Sequence, residues 1–310
     1  MNKRQGKSAA FIREALKRSL IPRNQVATFS GLTNTYIRDL EQGNIANASR
    51  EKLIALAITI NLTLHETDEL LTVFDRAKLN MDDVSIYIQS VKQRGTSTVV
   101  HPVRDYFGYE LLLLGAEQTP GAKVVSANHP TAILRVEGHR TSVEIDMVED
   151  HPIYWELREA IGRERRRNLG LQLNHYAMDH YIHKKSLEEY IRGCHDPKER
   201  EWRKKHIESV LLHIRNYENF NYYLTKIQST FNFMIKFTGS SDEAEKVFFY
   251  AHSSPVLPGQ MEGQVIGFLT ENQTIVEQFK KDVEILREHV LDEYLNCHKL
   301  ESFFEVLISQ

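Results

Sequence analysis

Four polar side chains near residue 35 are spaced so that they could hydrogen-bond to a ligand, such as the edges of DNA bases. These are Asn34, Thr35, Arg38 and Asp39. If the segment is helical, Ile37 and Leu40 lie three residues apart and point to the other side, toward a core. The polar side of the helix then faces solvent or base edges.

The residues on either side predict two short helices joined by a tight turn. Ala27 is small enough to let two crossing helices approach each other closely. Gly31 stands where the turn requires a positive φ, which glycine adopts at the lowest cost, and Thr33 can cap the second helix. Residues 23–43 therefore have the layout of a helix-turn-helix DNA-binding unit. Two amphipathic helices joined by a glycine turn also occur in helical bundles, and that alternative stays open here.

Helical patterns flank this unit on both sides. Residues 9–20 place five apolar side chains on one face, Ser49 can cap a helix after the loop 44–48, and a further helix is expected near His65. The sequence thus predicts an all-α N-terminal domain of five short helices, in which the second and third form the DNA-binding pair.

This arrangement resembles the XRE family of Cro/CI-type repressors. The family's pattern is matched by Val26-Ala27, Gly31, Ile37 and Glu41-Gln42-Gly43. The resemblance covers about the first quarter of the chain. It implies a transcriptional regulator that binds DNA through this quarter.

The resemblance also implies roles for individual residues. Base reading would fall to Thr33, Asn34, Thr35, Arg38 and Asp39. The DNA backbone would be contacted by Arg23, Asn44, Asn47 and Arg50. Asn favours adenine and Arg favours guanine, each through a pair of hydrogen bonds. Two positions depart from the family: Arg38 replaces a small residue, and Asp39 brings a negative charge that would pair with a neighbouring Arg or accept from cytosine.

Charge is divided unevenly along the chain. The whole chain has a net charge of −3, but residues 1–65 hold ten basic and four acidic side chains, a net +6, which leaves −9 for the remainder. A basic end joined to an acidic body is expected when only that end meets phosphate. Lys3, Arg4 and Lys7 are interpreted as a mobile arm that touches the DNA backbone. A frayed charged terminus is the equal alternative.

Cysteine content and hydropathy indicate an intracellular protein. The two cysteines, Cys194 and Cys297, are far apart and lack a CxxC partner, which favours reduced thiols. No apolar run approaches the ~20 residues needed to cross a bilayer, and the N-terminus lacks the apolar core of a signal peptide. We therefore expect a cytoplasmic protein without membrane contact.

The rest of the chain predicts a second domain of the α+β class. The boundary lies in a stretch rich in Lys, Arg, Gly, Ser and Thr, which gives a helix-turn-helix domain at residues 1–78, a linker at 79–100 and an α+β domain at 101–310. About five strands are expected, at residues 132–136, 143–147, 231–237, 247–251 and 265–269. Several long helices are expected, including a buried one at 111–114, one capped by Asp150, and others at 169–193, 197–218, 273–297 and 299–308.

Two groups of side chains in the second domain could bind ions. On the expected helix 169–193, His180 and His183 share a face and His175 lies one turn before Asp179, so metal-ligand geometry is available. A polar helix face with ordinary surface histidines is the preferred interpretation, and no metal is assigned. Four arginines are interpreted as a solvated basic helix end, namely Arg163, Arg165, Arg166 and Arg167. Binding of an anionic ligand, or a second contact with DNA, is the alternative.

Enzyme signatures are missing from the sequence, which lacks GxSxG, GxxxxGK[ST], HExxH and paired CxxC motifs. We expect neither catalysis nor a cofactor. The sequence predicts a transcriptional regulator that binds double-stranded DNA as a homodimer on a palindromic operator. Its C-terminal domain would dimerise or sense a small-molecule or peptide effector. The alternative is a helix-turn-helix protein whose C-terminal domain is an enzyme or a toxin-neutralising partner module.

Overall fold

The chain divides into two compact units, each described here by itself. The computed structural model describes residues 3–19, 21–45, 47–60, 62–93, 106–135, 151–237, 245–252 and 265–310. The first unit consists of Met1–Thr96, Val103–Gly115 and Val148–Ile161, and the second of Ser97–Pro102, Ala116–Met147 and Gly162–Gln310. The first unit is thus assembled from three separate stretches of sequence.

The first unit is helical. It contains α1 (Lys3–Ser19), α2 (Arg23–Ser30), α3 (Asn34–Gln42), α4 (Arg50–Thr59), α5 (Leu64–Val73) and α6 (Asp83–Gln93). The chain passes from the first unit to the second within α7 (Tyr106–Gln118) and α8 (Tyr154–Leu173). The five predicted N-terminal helices are confirmed as α1 to α5.

Two parts of this unit are more helical than the sequence indicated. Helix α1 begins at Lys3 instead of residue 9, so Lys3, Arg4 and Lys7 belong to a helix and the interpretation as a mobile arm is wrong. Lys, Arg and Gln are good helix formers, which favours this extension. Helix α6 lies in the segment 79–100 that was expected to be a linker, and it packs against α4.

One apolar core joins every helix of the first unit. The N-terminal helices contribute Ile12, Val26, Ile37, Leu53, Leu70 and Tyr87. The later helices contribute Leu111 and Leu114 of α7 and Leu157 and Ile161 of α8. Leu111, Leu112, Leu113 and Leu114 are all buried, which confirms the expected buried helix. The core of the first unit therefore includes residues as far along the chain as 161.

The second unit is built on a six-stranded mixed sheet. Its strands are β1 (Lys123–Ala127), β2 (Met178–His183), β3 (Phe220–Thr225), β4 (Asn232–Lys236), β5 (Lys246–His252) and β6 (Val265–Thr270). They lie in the order β3-β2-β1-β4-β5-β6. Strands β1, β2 and β3 are parallel, whereas β4, β5 and β6 are joined to β1 and to one another by antiparallel pairing.

Helices pack on both faces of this sheet. They are α9 (Lys184–Arg192), α10 (Pro197–Asn216), α11 (Gln273–Glu288) and α12 (Cys297–Ser309), with short 3₁₀ helices at Ala132–Leu134 and Asp292–Tyr294. On one face α9, α10, α12 and the end of α8 bury Met178, Ile182 and Tyr222. On the other face α11 packs its Phe279 against Phe233, with ring centroids 4.9 Å apart. No described helix is long and apolar enough to cross a membrane.

The α+β class is confirmed, but only some of its strands were predicted. The expected strands at 231–237, 247–251 and 265–269 correspond to β4, β5 and β6. The expected strand at 132–136 is wrong because Ala132–Leu134 forms a 3₁₀ helix, and its partner at 143–147 lies outside the described residues. Strands β1, β2 and β3 were missed.

The helix expected at 169–193 is also wrong, because β2 lies inside that range. Strands of a parallel sheet are buried on both faces and lack the alternation of apolar and polar residues that marks a half-exposed strand. Helix α8 begins at Tyr154, and its expected cap Asp150 lies outside the described residues.

The basic run at 163–167 occupies the interior of α8 and not a helix end. Arg165 is 2% exposed, and its Nε and Nη2 each donate to Glu117 of α7 at 2.7 Å. Arg166 donates to the carbonyl of Arg135 at 2.9 Å. These partners lie 31 to 48 residues away in sequence, which is why the run by itself suggested a solvated end.

The Arg165–Glu117 pair gives a test of the packing in the second unit. We expect Arg165→Met to lower the free energy of unfolding by about 3–5 kcal/mol, because it leaves the buried carboxylate of Glu117 without its partner. The double variant Arg165→Met with Glu117→Leu should recover most of that loss, since it removes both charges. Denaturant unfolding measures both effects. Equal destabilisation of the single and double variants would contradict a buried ion pair.

Candidate nucleic-acid interface

The turn between α2 and α3 is set by one glycine and one threonine. Gly31 has φ 67, and a Cβ at this position would meet no atom within 4 Å, so the backbone angle and not space requires glycine. Thr33 caps α3 by accepting the backbone N–H of Tyr36 through Oγ1 at 3.1 Å. The roles expected for Gly31 in the turn and for Thr33 as a cap are confirmed.

The C-terminal end of α3 is also set by a glycine with a positive φ and by capping hydrogen bonds. Gly43 has φ 76, and its backbone N–H donates to the carbonyl of Leu40 at 3.1 Å. The backbone N–H of Asn44 donates to the carbonyl of Asp39 at 2.8 Å. These bonds satisfy carbonyls that the last turn of a helix leaves without intrahelical partners. Helix α3 therefore has defined ends, and its rotation is fixed by burial of Ile37 and Leu40, both at most 1% exposed.

The outward side of α3 presents three side chains without partners. Asn34, Thr35 and Arg38 are exposed, and none of them makes a side-chain hydrogen bond or an ion pair with the described residues. Their donors and acceptors are thus available to a ligand. Asn34 and Thr35 occupy the first turn of α3, and Arg38 lies one turn further on.

Asp39 differs from these three because it has a partner within the protein. Nδ2 of Asn44 donates to Oδ1 of Asp39 at 3.3 Å and is also 3.0 Å from Oε1 of Gln42. The sequence had suggested an arginine as the partner of Asp39, and the structure has an asparagine instead. Two residues expected to meet DNA, Asp39 and Asn44, are therefore hydrogen-bonded to each other. Their roles at DNA stay a prediction.

The expected DNA-backbone residues have different surroundings. Nη2 of Arg23 lies 2.6 Å from Oε2 of Glu41, and Nη1 of Arg13 donates to the carbonyl of Glu41 at 2.8 Å. Glu41 therefore ties α1 and α2 to the end of α3. Asn47 is exposed. Lys3 and Arg4 lie in the first turn of α1, where the structure describes the backbone but not these two side chains.

Arg50 is bonded almost entirely within the protein. Its guanidinium donates to both carboxylate oxygens of Asp83, to the carbonyl of Ala77, and to the carbonyl of Lys78 at 2.8 Å. Asp83 is 2% exposed. These bonds make Arg50 a link between α4 and the start of α6, and its expected phosphate contact stays a prediction.

Lys52 lies beside α3, although it was not among the residues expected from the sequence to contact DNA. Nζ of Lys52, in the first turn of α4, lies 4.6 Å from the ring centroid of Tyr36 on α3. Burial raises the pKa of the Tyr36 hydroxyl above its ordinary value, so this ring is neutral at neutral pH. Lys52 stands two residues after Arg50, which was expected to contact phosphate. This proximity could have identified Lys52 as a further candidate for a phosphate contact.

These features together define a DNA-binding helix-turn-helix domain. Residues 12–66 match the model of a family described as helix-turn-helix, and the type is XRE. This region of the chain is therefore an XRE-type helix-turn-helix domain. Nothing matches the C-terminal region, and no curated protein and no solved structure matches the chain.

The residues considered as metal ligands in the second unit do not come together on a helix. Asp179, His180 and His183 belong to strand β2, and His175 lies in the turn before it. Successive residues of a strand point to opposite faces. His180 therefore faces the core, whereas Asp179 accepts a hydrogen bond from Nδ2 of Asn221 at 2.8 Å on the other face. The helical spacing that suggested this group is wrong.

His180 is instead an apolar-core residue. It is 3% exposed, its ring centroid lies 4.9 Å from that of Phe220 and 5.6 Å from that of Tyr222, and neither ring nitrogen has a hydrogen bond with the described residues. Burial lowers the pKa of His180 to about 3. The imidazole is therefore neutral in the folded protein throughout the physiological pH range.

This burial predicts a specific pH dependence of stability. Because the pKa of His180 lies below its ordinary value in the folded state, its contribution to stability is complete above about pH 6.5 and is lost as the pH falls, by about 1.4 kcal/mol per pH unit. Between pH 6.5 and 5 the wild type should lose about 2 kcal/mol more than His180→Leu. Denaturant unfolding at both pH values measures this difference. Parallel losses in the two proteins would show that His180 is not buried neutral.

Proposed function

We propose that this protein is a cytoplasmic, sequence-specific transcriptional regulator that binds its operator as a homodimer. The observation that carries the proposal is a set of three exposed side chains on α3 within an XRE-type helix-turn-helix domain. Asn34, Thr35 and Arg38 have no hydrogen-bond or ion-pair partner among the residues that the structure describes. In this class of domain the second helix of the pair lies in the major groove and its first residues reach the bases.

The chemistry of the three side chains suggests the bases that they read. Arg38 has a planar guanidinium that fits the two acceptors of guanine, and Asn34 can donate to and accept from adenine. Thr35 offers a hydroxyl to any base and a methyl group to thymine. Lys52 and Arg23 flank α3 and supply cations for the phosphates on either side.

A single domain of this size reads about half of an operator, which is too little for selective binding in a genome. Two domains on a palindrome would lie about 34 Å apart, one turn of B-form DNA. We infer that the second unit holds the two copies together and that an effector regulates DNA binding there. Such an effector acts only by binding one dimer geometry more tightly than the other.

The base-reading role is tested with the double variant Asn34→Ala, Thr35→Ala. Sequences selected by the full chain from random duplex pools provide the operator. The variant should bind that operator about 100-fold more weakly, since each lost base contact costs about 1–3 kcal/mol. Its affinity for random duplex should change by less than about twofold, because phosphate contacts supply that binding. Titration of labelled duplexes at one fixed salt concentration measures both.

The matched control is Gln273→Ala, Thr274→Ala, which removes an exposed adjacent amide and hydroxyl from the first turn of α11 in the second unit. It should bind both duplexes as the wild type does. Equal weakening of the Asn34/Thr35 variant on operator and random duplex would contradict base reading. A selected sequence without two-fold symmetry would contradict the dimer, and a partner protein that co-purifies at fixed stoichiometry would favour a partner module instead.

A further inference from the structure

A thiol, an imidazole and a carboxylate meet on the surface of the second unit at the start of α12. They belong to Cys297, His298 and Glu301, and their sulfur, ring nitrogen and carboxylate oxygen all lie within 4.8 Å of one another. Cys297 and His298 are exposed, and Glu301 is half-buried. The group combines three residue types and therefore lacks the clustered histidines that mark a metal site in a sequence.

We propose that these three side chains form a Zn²⁺ site in which water is the fourth ligand. Thiolate, imidazole and carboxylate are the side-chain ligands that zinc takes in proteins. With bonds of about 2.0–2.3 Å, the ligand atoms of tetrahedral zinc lie about 3.3–3.8 Å apart. The three atoms therefore need to approach by roughly 1 Å, which rotation of the exposed side chains allows. Three protein ligands and one open position form an accessible site.

The neighbouring charges fit a divalent cation. Nε of Arg215 donates to Oε2 of Glu301 at 2.7 Å, and Nη2 of Arg215 donates to Oε1 of Glu305 at 2.7 Å. Arg215 thus fixes the orientation of the Glu301 carboxylate and leaves its Oε1 for the metal, as outer groups do for many zinc ligands. With the thiol ionised, the negative charges of Cys297, Glu301 and Glu305 balance Arg215 and one Zn²⁺.

The fold holds the ligand positions in a defined arrangement. The side chain of Asn296 accepts the backbone N–H of Lys299 at 3.2 Å and so starts α12 immediately before Cys297. Residues four apart in a helix share a face, which places Glu301 beside Cys297. Phe304 is fully buried and anchors the helix. The site lies outside the DNA-binding domain, so the inference does not depend on the proposed function.

The test uses the full chain after removal of metal with a strong chelator. Zn²⁺ is then titrated in competition with a chromophoric chelator, and we expect one equivalent to bind. Cys297→Ser and Glu301→Gln should each weaken binding at least about 100-fold, because loss even of an outer partner costs about 10–100-fold. Co²⁺ in place of Zn²⁺ should give thiolate-to-cobalt charge-transfer absorption in the wild type that is absent in Cys297→Ser.

The matched control is His175→Ala with His183→Ala, two of the histidines first considered as ligands. This variant should bind Zn²⁺ with wild-type affinity. The proposal is overturned if less than one equivalent binds, if Cys297→Ser retains the affinity or the cobalt absorption, or if the control loses binding. Circular dichroism verifies that each variant keeps the fold, which is expected because Cys297 is exposed and Glu301 is half-buried.

Discussion

Helix α3 is nine residues long, and a helix of that length is unstable in isolation. Its position therefore depends on burial of Ile37 and Leu40 in the core of the first unit. The left-handed backbone at Gly31 turns the chain between α2 and α3, and the cap at Thr33 fixes the first residue of α3. Because the apolar side is fixed, the polar side is fixed as well. The outward placement of Asn34, Thr35 and Arg38 is thus a consequence of where two aliphatic side chains pack.

The sequence was most informative where the determinants are local. Gly31, Thr33 and Gly43 each specify a backbone conformation within a few residues, so the helix pair could be predicted from one stretch. The antiparallel strands β4, β5 and β6 were also found. The parallel strands were not, because their pairing joins residues about 40 to 55 apart, such as Val125, His180 and Tyr222, and because burial on both faces removes the alternation that marks a strand. In β2, His180 and His183 lie three residues apart, a spacing that is also found on one face of a helix.

The same distinction between local and distant partners applies to the binding surface. The exposure of Asn34, Thr35 and Arg38 follows from helical periodicity, and the structure agrees with it. The bonds of Arg50 to Asp83 and of Asn44 to Asp39 could not be predicted, because nothing in one sequence indicates which partner a polar side chain will select. Arg165 shows the extreme case, in which a residue from a basic run is buried against a carboxylate 48 positions away.

The core of the first unit contains side chains from Ile12 to Ile161. The first unit is therefore discontinuous in sequence, although its helix-turn-helix pair occupies only residues 23–42. During synthesis the helix pair leaves the ribosome early, but the core of the first unit lacks its last side chains until about half of the 310 residues have been translated. A fragment cut after α6 would lack Leu111, Leu114 and Leu157. The core residues that pack with these leucines would then be exposed to water. Such a fragment is therefore expected to be less stable than the full chain.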